Sequence, residues 1–341
     1  MLLGITTTVP IEVLLSAGYR PVDLNNLFIS SPDPERLLNF AERQGFPPNC
    51  CAWIKGIYAA CLEHGIKKVL CVTTGDCSNT LMLMEVLKLR GLEVVPFAYP
   101  DHPDLTQMQQ ALSSLASRLG TSLEAAEKVR RDLEPCRRLL RQLDELTWRE
   151  GKVSGWENHL WLVTSSDFEG DPQRFESRLQ EFLSQARERK PYPPDRLRLA
   201  YIGVPPVFAQ DLYRFLEEND ARVVFNEIQR QFAMPYSCSS LSEQYSCYTY
   251  PYSIFERVKD IKLEVSRRGI DGIIHYVQAF CHRGIGDIIF RHAIDLPILT
   301  LEGNDEFFLT QHLRTRIEAF LDLVQRRKTS SGKAVLSEKL G

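Results

Sequence analysis

Residues 69–91, VLCVTTGDCSNTLMLMEVLKLRG, decide how the chain is read. The apolar run Val69 to Val72 breaks into a polar turn, Thr73-Thr74-Gly75-Asp76, and Cys77 then opens a segment with helical spacing. A continuous apolar run without alternation suits a strand buried on both faces of a parallel sheet. Strand, turn and helix start together describe the carboxyl end of a strand in an α/β unit. Cys77 stands there either as a small buried hydrophobe or as a metal ligand.

The same alternation runs outward in both directions. Upstream lie GITTTVP (4–10), the helical segment IEVLLSAG (11–18), PVDLNNLF (21–28) and a helical pattern from about Cys51 to Gly65; downstream lies LEVVPFAYP (92–100). These make a first α/β lobe over residues 1–104. Residues 105–192 carry no strand pattern, are rich in Glu, Arg, Leu and Gln, and include Thr121-Ser122-Leu123-Glu124, which reads as a capping box. This helical segment is expected at the periphery, linking lobes rather than building the site. After the proline-rich break KPYPPD (190–195) the α/β pattern returns in RLAYIGVPPV (198–207), ARVVFNEI (221–228), GIDGIIHYVQAF (269–280) and LPILTLEG (296–303). The expected class is therefore α/β, with two Rossmann-like (flavodoxin-like) parallel-sheet lobes, the second covering 193–341 with a C-terminal helix.

Composition agrees with a two-lobed globular protein: 341 residues, 44% hydrophobic and 25% charged. A net charge of -3 gives no electrostatic pull toward nucleic acid or anionic membrane. The N-terminal MLLGITTTVPIEVLLSAG lacks a basic region and is interrupted by Gly4 and Pro10, so it reads as neither signal peptide nor membrane span, and a cytoplasmic location is expected. In such a reducing compartment the nine cysteines are expected as thiols or metal thiolates. Walker and GxGxxG motifs are missing, as are CxxC pairs of the zinc-site type.

Cys77 and Cys281 hold equivalent places, each after a predicted strand and before a predicted helix, in the crevice where open α/β sheets bind ligands. Cys51, after Pro47-Pro48-Asn49, also opens a helical segment. Helix starts favour anions and lower a thiol's pKa, so three converging N-termini suit a cluster held by three thiolates. Cys61 and Cys71 read as core, Cys136 has no site-like neighbours, and Cys238 and Cys247 lie in a Ser- and Tyr-rich loop. His282 either donates to a cluster, serves as a catalytic acid or is structural, and the Thr6-Thr7-Thr8 turn either offers Thr7 and Thr8 hydroxyls to a substrate or caps a helix.

The segments 4–24, CAWIK (51–55), TTGDCSNTLMLMEVL (73–87), 201–227 and VQAFCHRGIGDIIFRHAIDLPILTLEGND (277–305) resemble the 2-hydroxyacyl-CoA dehydratase and benzoyl-CoA reductase family of iron-sulfur subunits. That superfamily includes double-cubane cluster proteins. The resemblance implies a 4Fe-4S cluster on Cys51, Cys77 and Cys281. Cys51 matches a Cys-x-x-aliphatic-Lys pattern through Lys55. Cys77 lies eight residues before Glu85, and Phe280-Cys281 precedes Pro297-Ile298-Leu299. It also implies a place for Glu12 near the active-site opening. Two departures stand out: Gly75 and Asp76 lengthen the Cys77 loop, and Cys50 adjoins Cys51, which is preferred for its register with Lys55.

The activity implied is that of a 2-hydroxyacyl-CoA dehydratase-like lyase or related reductase. It would work anaerobically as a homodimer or a heterodimer with a related subunit. A separate ATP-dependent iron-sulfur activator would dock where Cys51 and Cys77 lie, beside Trp53 and Lys55. One alternative is a homodimeric 8Fe-9S double-cubane reductase of small molecules; another is a metal-free bilobal binding protein.

Overall fold

The apolar runs form strands, and the strands form two sheets of one topology. In the computed structural model, which describes residues 1–339, Leu2–Ile5 (β1), Arg20–Asp23 (β2), Lys68–Thr74 (β3) and Glu93–Ala98 (β4) make an all-parallel sheet in the order β2-β1-β3-β4. Leu197–Gly203 (β5), Ala221–Asn226 (β6), Gly272–Gln278 (β7) and Ile298–Gly303 (β8) repeat it in the order β6-β5-β7-β8. Parallel pairing requires a crossover between neighbours, and helices supply the crossovers here. The expected α/β class with two parallel-sheet lobes is what the chain adopts. The last two residues of the expected 193–341 lobe lie outside the described residues.

Helices α1 (Ile11–Ser16), α2 (Leu24–Ile29), α3 (Pro34–Arg43), α4 (Ala52–Glu63) and α5 (Asn79–Leu89) clothe the first sheet. Its core is intolerant at Gly56 of α4, where an added Cβ would meet the Phe28 ring of α2 at 2.3 Å. Then come α6 (Leu105–Leu119), α7 (Leu123–Trp148), α8 (Gly155–Thr164) and α9 (Pro172–Arg187). The second sheet carries α10 (Ala209–Glu218), α11 (Glu227–Phe232), α12 (Leu241–Cys247), α13 (Ile254–Arg268) and α14 (Asp287–Ala293), with α15 (Gln311–Lys339) closing the chain.

Residues 105–192 are helical, with no strand among them, but they are not peripheral. The 26-residue α7 buries Arg137 and Asp144 among its leucines, and buried charges need partners. Arg137 pairs with Glu12 of α1 in the first lobe, and Asp144 pairs with Arg268 of α13 in the second. Helix α8 meanwhile packs on β6 and α11. The segment is thus wedged between the lobes, because its buried ion pairs reach both. Its cap also differs by one residue from the sequence expectation. Ser122, rather than Thr121, is the N-cap of α7 and accepts from the Ala125 amide at 3.1 Å. A reciprocal capping box forms instead at Ser154 and Glu157 of α8.

Candidate active site at the strand ends

In a sheet ordered second-first-third-fourth, the crevice opens where the chain leaves the first and third strands in opposite directions. The residues following β1, β3, β5 and β7 should therefore meet a common space. They do so around a cavity of about 480 Å³. Thr6, Thr7 and Thr8 reach it from β1, Asp76 and Cys77 from β3, Val204 to Val207 from β5, and Cys281 to Arg283 from β7. Cys51 enters from the start of α4. The three cysteines proposed from the sequence thus line one cavity between the lobes.

Each cysteine is placed by its own local device. Cys51 is the N-cap of α4, and fully buried Lys55 pins the preceding loop by donating to the Pro48 carbonyl (3.0 Å) and pairing with Glu42 (2.7 Å). The Ala52 amide donates to Asn304 Oδ1 at 3.1 Å, which ties this helix start to the segment after β8. Cys77 follows Gly75, whose φ of +98° and approach to Pro251, 2.6 Å from an added Cβ, admit no side chain. Cys281 follows Phe280, held at φ +60°, and opens a 3₁₀ turn, His282–Gly286, ahead of α14. Arg283 bridges two of these loops, its Nη2 donating to the Gly75 carbonyl at 2.9 Å and its Nη1 to that of Tyr250 at 3.3 Å.

Helix starts do not make these thiols acidic. Burial pushes Cys51 up to about 11, although the Trp53 and Ile54 amides favour its thiolate. Burial, reinforced by Asp76, pushes Cys77 up to about 12. Desolvation outweighs the dipole, so the expected lowering of thiol pKa is corrected: without a bound metal both are thiols at neutral pH. Thiolates at Cys51 and Cys281 would each oppose one at Cys77, and one at Cys281 would oppose one at Cys51, which marks the three as neighbours.

The donor set suits an iron-sulfur cluster. Among the described residues no group of three His, Cys, Asp or Glu could hold one metal ion. In a cluster each thiolate binds a different iron, so its sulfurs stand farther apart than ligands of one ion. Soft thiolates from three loops are the donor type that such clusters take. Trp53, also in the lining, has its Nε1 buried with no hydrogen-bond partner among the described residues. Cys50 is half-buried and does not line the cavity.

The other sequence candidates divide between the cavity and the rest of the molecule. Glu12 is fully buried and does not reach the cavity. Burial opposes its ionisation, but the Arg137 guanidinium, Gln244 (2.7 Å) and Tyr245 (2.8 Å) outweigh it and hold the carboxyl below its ordinary value. Its place near an active-site opening is therefore corrected to a buried lobe-to-segment ion pair. Glu85 is exposed and, among the described residues, pairs only with Lys88. Lys55, being fully buried, is corrected from a docking residue to a loop anchor. His282 lines the cavity, partial burial and Arg283 holding its imidazole below the ordinary value. Thr7 and Thr8 line it too; Thr8 Oγ1 is buried without a partner, whereas Thr6 Oγ1 accepts from the Val72 amide at 3.2 Å. Cys61, Cys71 and Cys136 are core residues.

Sequence reasoning missed three features of the wall. Asp23, ending β2, lines the cavity; its Oδ2 accepts from Ser166 Oγ at 2.6 Å, and its amide donates to Asp167 Oδ2 at 2.7 Å. Burial and the Asp23 charge push Asp167 up to about 7. Its position at a strand's carboxyl end could have flagged Asp23. Trp156 and His159 of α8 and Tyr250 of the Tyr-rich loop carry no such local signal.

Among the described residues no helix is long and apolar enough to cross a membrane. No curated protein matches the sequence. The family model of 2-hydroxyglutaryl-CoA dehydratase, D-component, matches residues 6–324, and the chain belongs to that family.

Proposed function

We propose that this chain is the iron-sulfur component of a 2-hydroxyacyl-CoA dehydratase-like enzyme, with Cys51, Cys77 and Cys281 holding a 4Fe-4S cluster. The observation that carries the reading is the convergence of these three cysteines, from distant parts of the sequence, on one cavity. A cluster with three protein ligands supplies a low-potential electron and an open iron able to act as a Lewis acid at a substrate oxygen. The chain's own residues do the rest. Thr7 and Thr8, at the end of β1, offer hydroxyls to orient an acyl substrate. Ile29, Ile54, Ile57 and Val163 line an apolar wall that excludes water from the reacting centre. Arg283 keeps the Cys281 and Cys77 loops in register. Because the sequence lacks a P-loop, ATP-driven electron delivery falls to a separate activator, and a second component completes the enzyme.

Anaerobic reconstitution followed by iron and sulfide analysis tests this. About four of each per chain are expected. About eight iron and nine sulfide per pair of chains would assign a double-cubane cluster instead. No iron retained would remove the proposal and leave a metal-free binding protein.

A further inference from the structure

The part of the cavity wall formed by α8 is chemically distinct from the cysteine loops. His159 lines it while only 4% exposed. Its Nδ1 lies 3.1 Å from Tyr213 Oη and 3.2 Å from Gln229 Nε2, and its ring stacks on Trp156 at 5.1 Å. Nε2 has no protein partner among the described residues, so one ring nitrogen remains for a ligand. Burial drives the imidazole down to about 3, which keeps it neutral at physiological pH. A neutral imidazole offers a hydrogen bond without charge.

The rest of the lining offers no charge to an anion either. Asp23 and Asp76 are its acidic residues. An ionised carboxylate repels an entering carboxylate, and a protonated one offers a single hydrogen bond but no positive charge. Among the described lining residues Arg283 is the single permanent cation. Its Nη atoms donate to the Gly75, Asp76 and Tyr250 carbonyls, its plane lies 4.3 Å over the Tyr250 ring, and its Nε is shut away from solvent. An anionic group entering here would lose its water and gain no free cation.

We infer that this wall is a specificity subsite for an uncharged, hydrogen-bonding acyl tail, read by His159, and that it discriminates against carboxylate-tailed acyl groups such as 2-hydroxyglutaryl. The inference deepens the acyl-thioester reading above and rests on it. His159 acts here as a substrate-contacting residue, with Trp156 covering its ring. Leu160, 40% exposed on the same helix, is also in the lining, so a cation placed there would reach the subsite.

The test is anaerobic calorimetric titration of the cluster-reconstituted full chain with a matched pair of probes, 2-hydroxyglutaryl-CoA and its uncharged side-chain amide. The coenzyme A moiety is common to both and cancels. The amide is expected to bind at least about tenfold more tightly. His159→Leu should weaken the amide about tenfold and the carboxylate far less, and His159→Gln, a neutral hydrogen-bonding replacement, should restore most of the loss. Leu160→Lys, at an exposed position that tolerates a long side chain, should narrow the preference or reverse it. Equal or tighter binding of the carboxylate by the wild type would overturn the inference. So would a folded, iron-replete His159→Leu protein that binds both probes as the wild type does. Binding of neither probe by iron-replete wild type would instead remove the thioester reading, and the subsite with it.

Discussion

Single residues here divide by what their burial costs. Cys51, Cys77 and Cys281 surround a shared cavity, whereas Cys61 and Cys71 are fully enclosed by apolar neighbours. Serine at each of the first three is expected to abolish the visible absorbance of the reconstituted cluster, while Cys50→Ser, Cys61→Ser and Cys71→Ser keep it. Iron analysis of the six variants checks this, and full iron in Cys51→Ser would move the ligand to Cys50. Glu12 represents the opposite case, a buried charge that acts on stability. Glu12→Gln leaves Arg137 buried without its counter-charge and should cost about 3 kcal/mol at pH 7 in chemical denaturation, with iron content unchanged. The sign with pH follows from the depressed carboxyl. Its stabilisation is present above the ordinary value of 4.5 and is lost as pH falls through the folded-state value, so wild type and variant should converge in acid.

At the scale of elements, the strand-end turns do more than the helices they precede. The Thr-Thr-Gly-Asp turn can hold Cys77 only because Gly75 adopts a left-handed backbone pressed against Pro251. Gly75→Ala is therefore expected to destabilise the protein by about 1–3 kcal/mol and to displace the Cys77 loop, lowering iron retention. Normal stability with normal iron would show the turn to be tolerant. The turns were also what the sequence made legible. A buried strand whose end leads to a cysteine is a local pattern, and it gave the strand ends, the repeated topology, Cys77 and Cys281, whereas Cys51 showed only as a helix start after Pro47-Pro48-Asn49. The role of α8 was not legible. His159 and Trp156 look like ordinary residues of an amphipathic helix, and they reach the cavity only because α8 packs on β6 and α11, a long-range choice with no local signature. Glu12 misled for the same reason: its partner Arg137 lies 125 residues away.

The whole molecule is two sheets facing one space, with a helical segment fastened to both by buried ion pairs. The Arg137 and Asp144 anchors make that segment part of the site's frame, so the lobes can bring the cysteine loops together without a covalent link. That arrangement would position the proposed cluster but offers no motif for charging it. Removing a hydroxyl next to an unactivated C–H bond, as the proposed reaction requires, takes an electron at very low potential. The sequence contains no phosphate-binding loop through which the chain could draw that energy from ATP. Lys55 is buried under the Pro48 loop, which leaves it no part in recruiting a donor. Exposed Phe280, Ile285 and Ile288, which flank Cys281, instead place solvent-facing apolar surface beside one ligand loop. Reduction is therefore expected to need a separate ATP-dependent activator. Anaerobic EPR and turnover with dithionite or reduced ferredoxin alone should show little product. Adding a cognate activator with ATP should raise the rate by several orders of magnitude, because each 1.4 kcal/mol of driving force is about a tenfold change. Full turnover with the donor alone, unchanged by ATP and activator, would show that the chain and its second component are self-sufficient in electron supply.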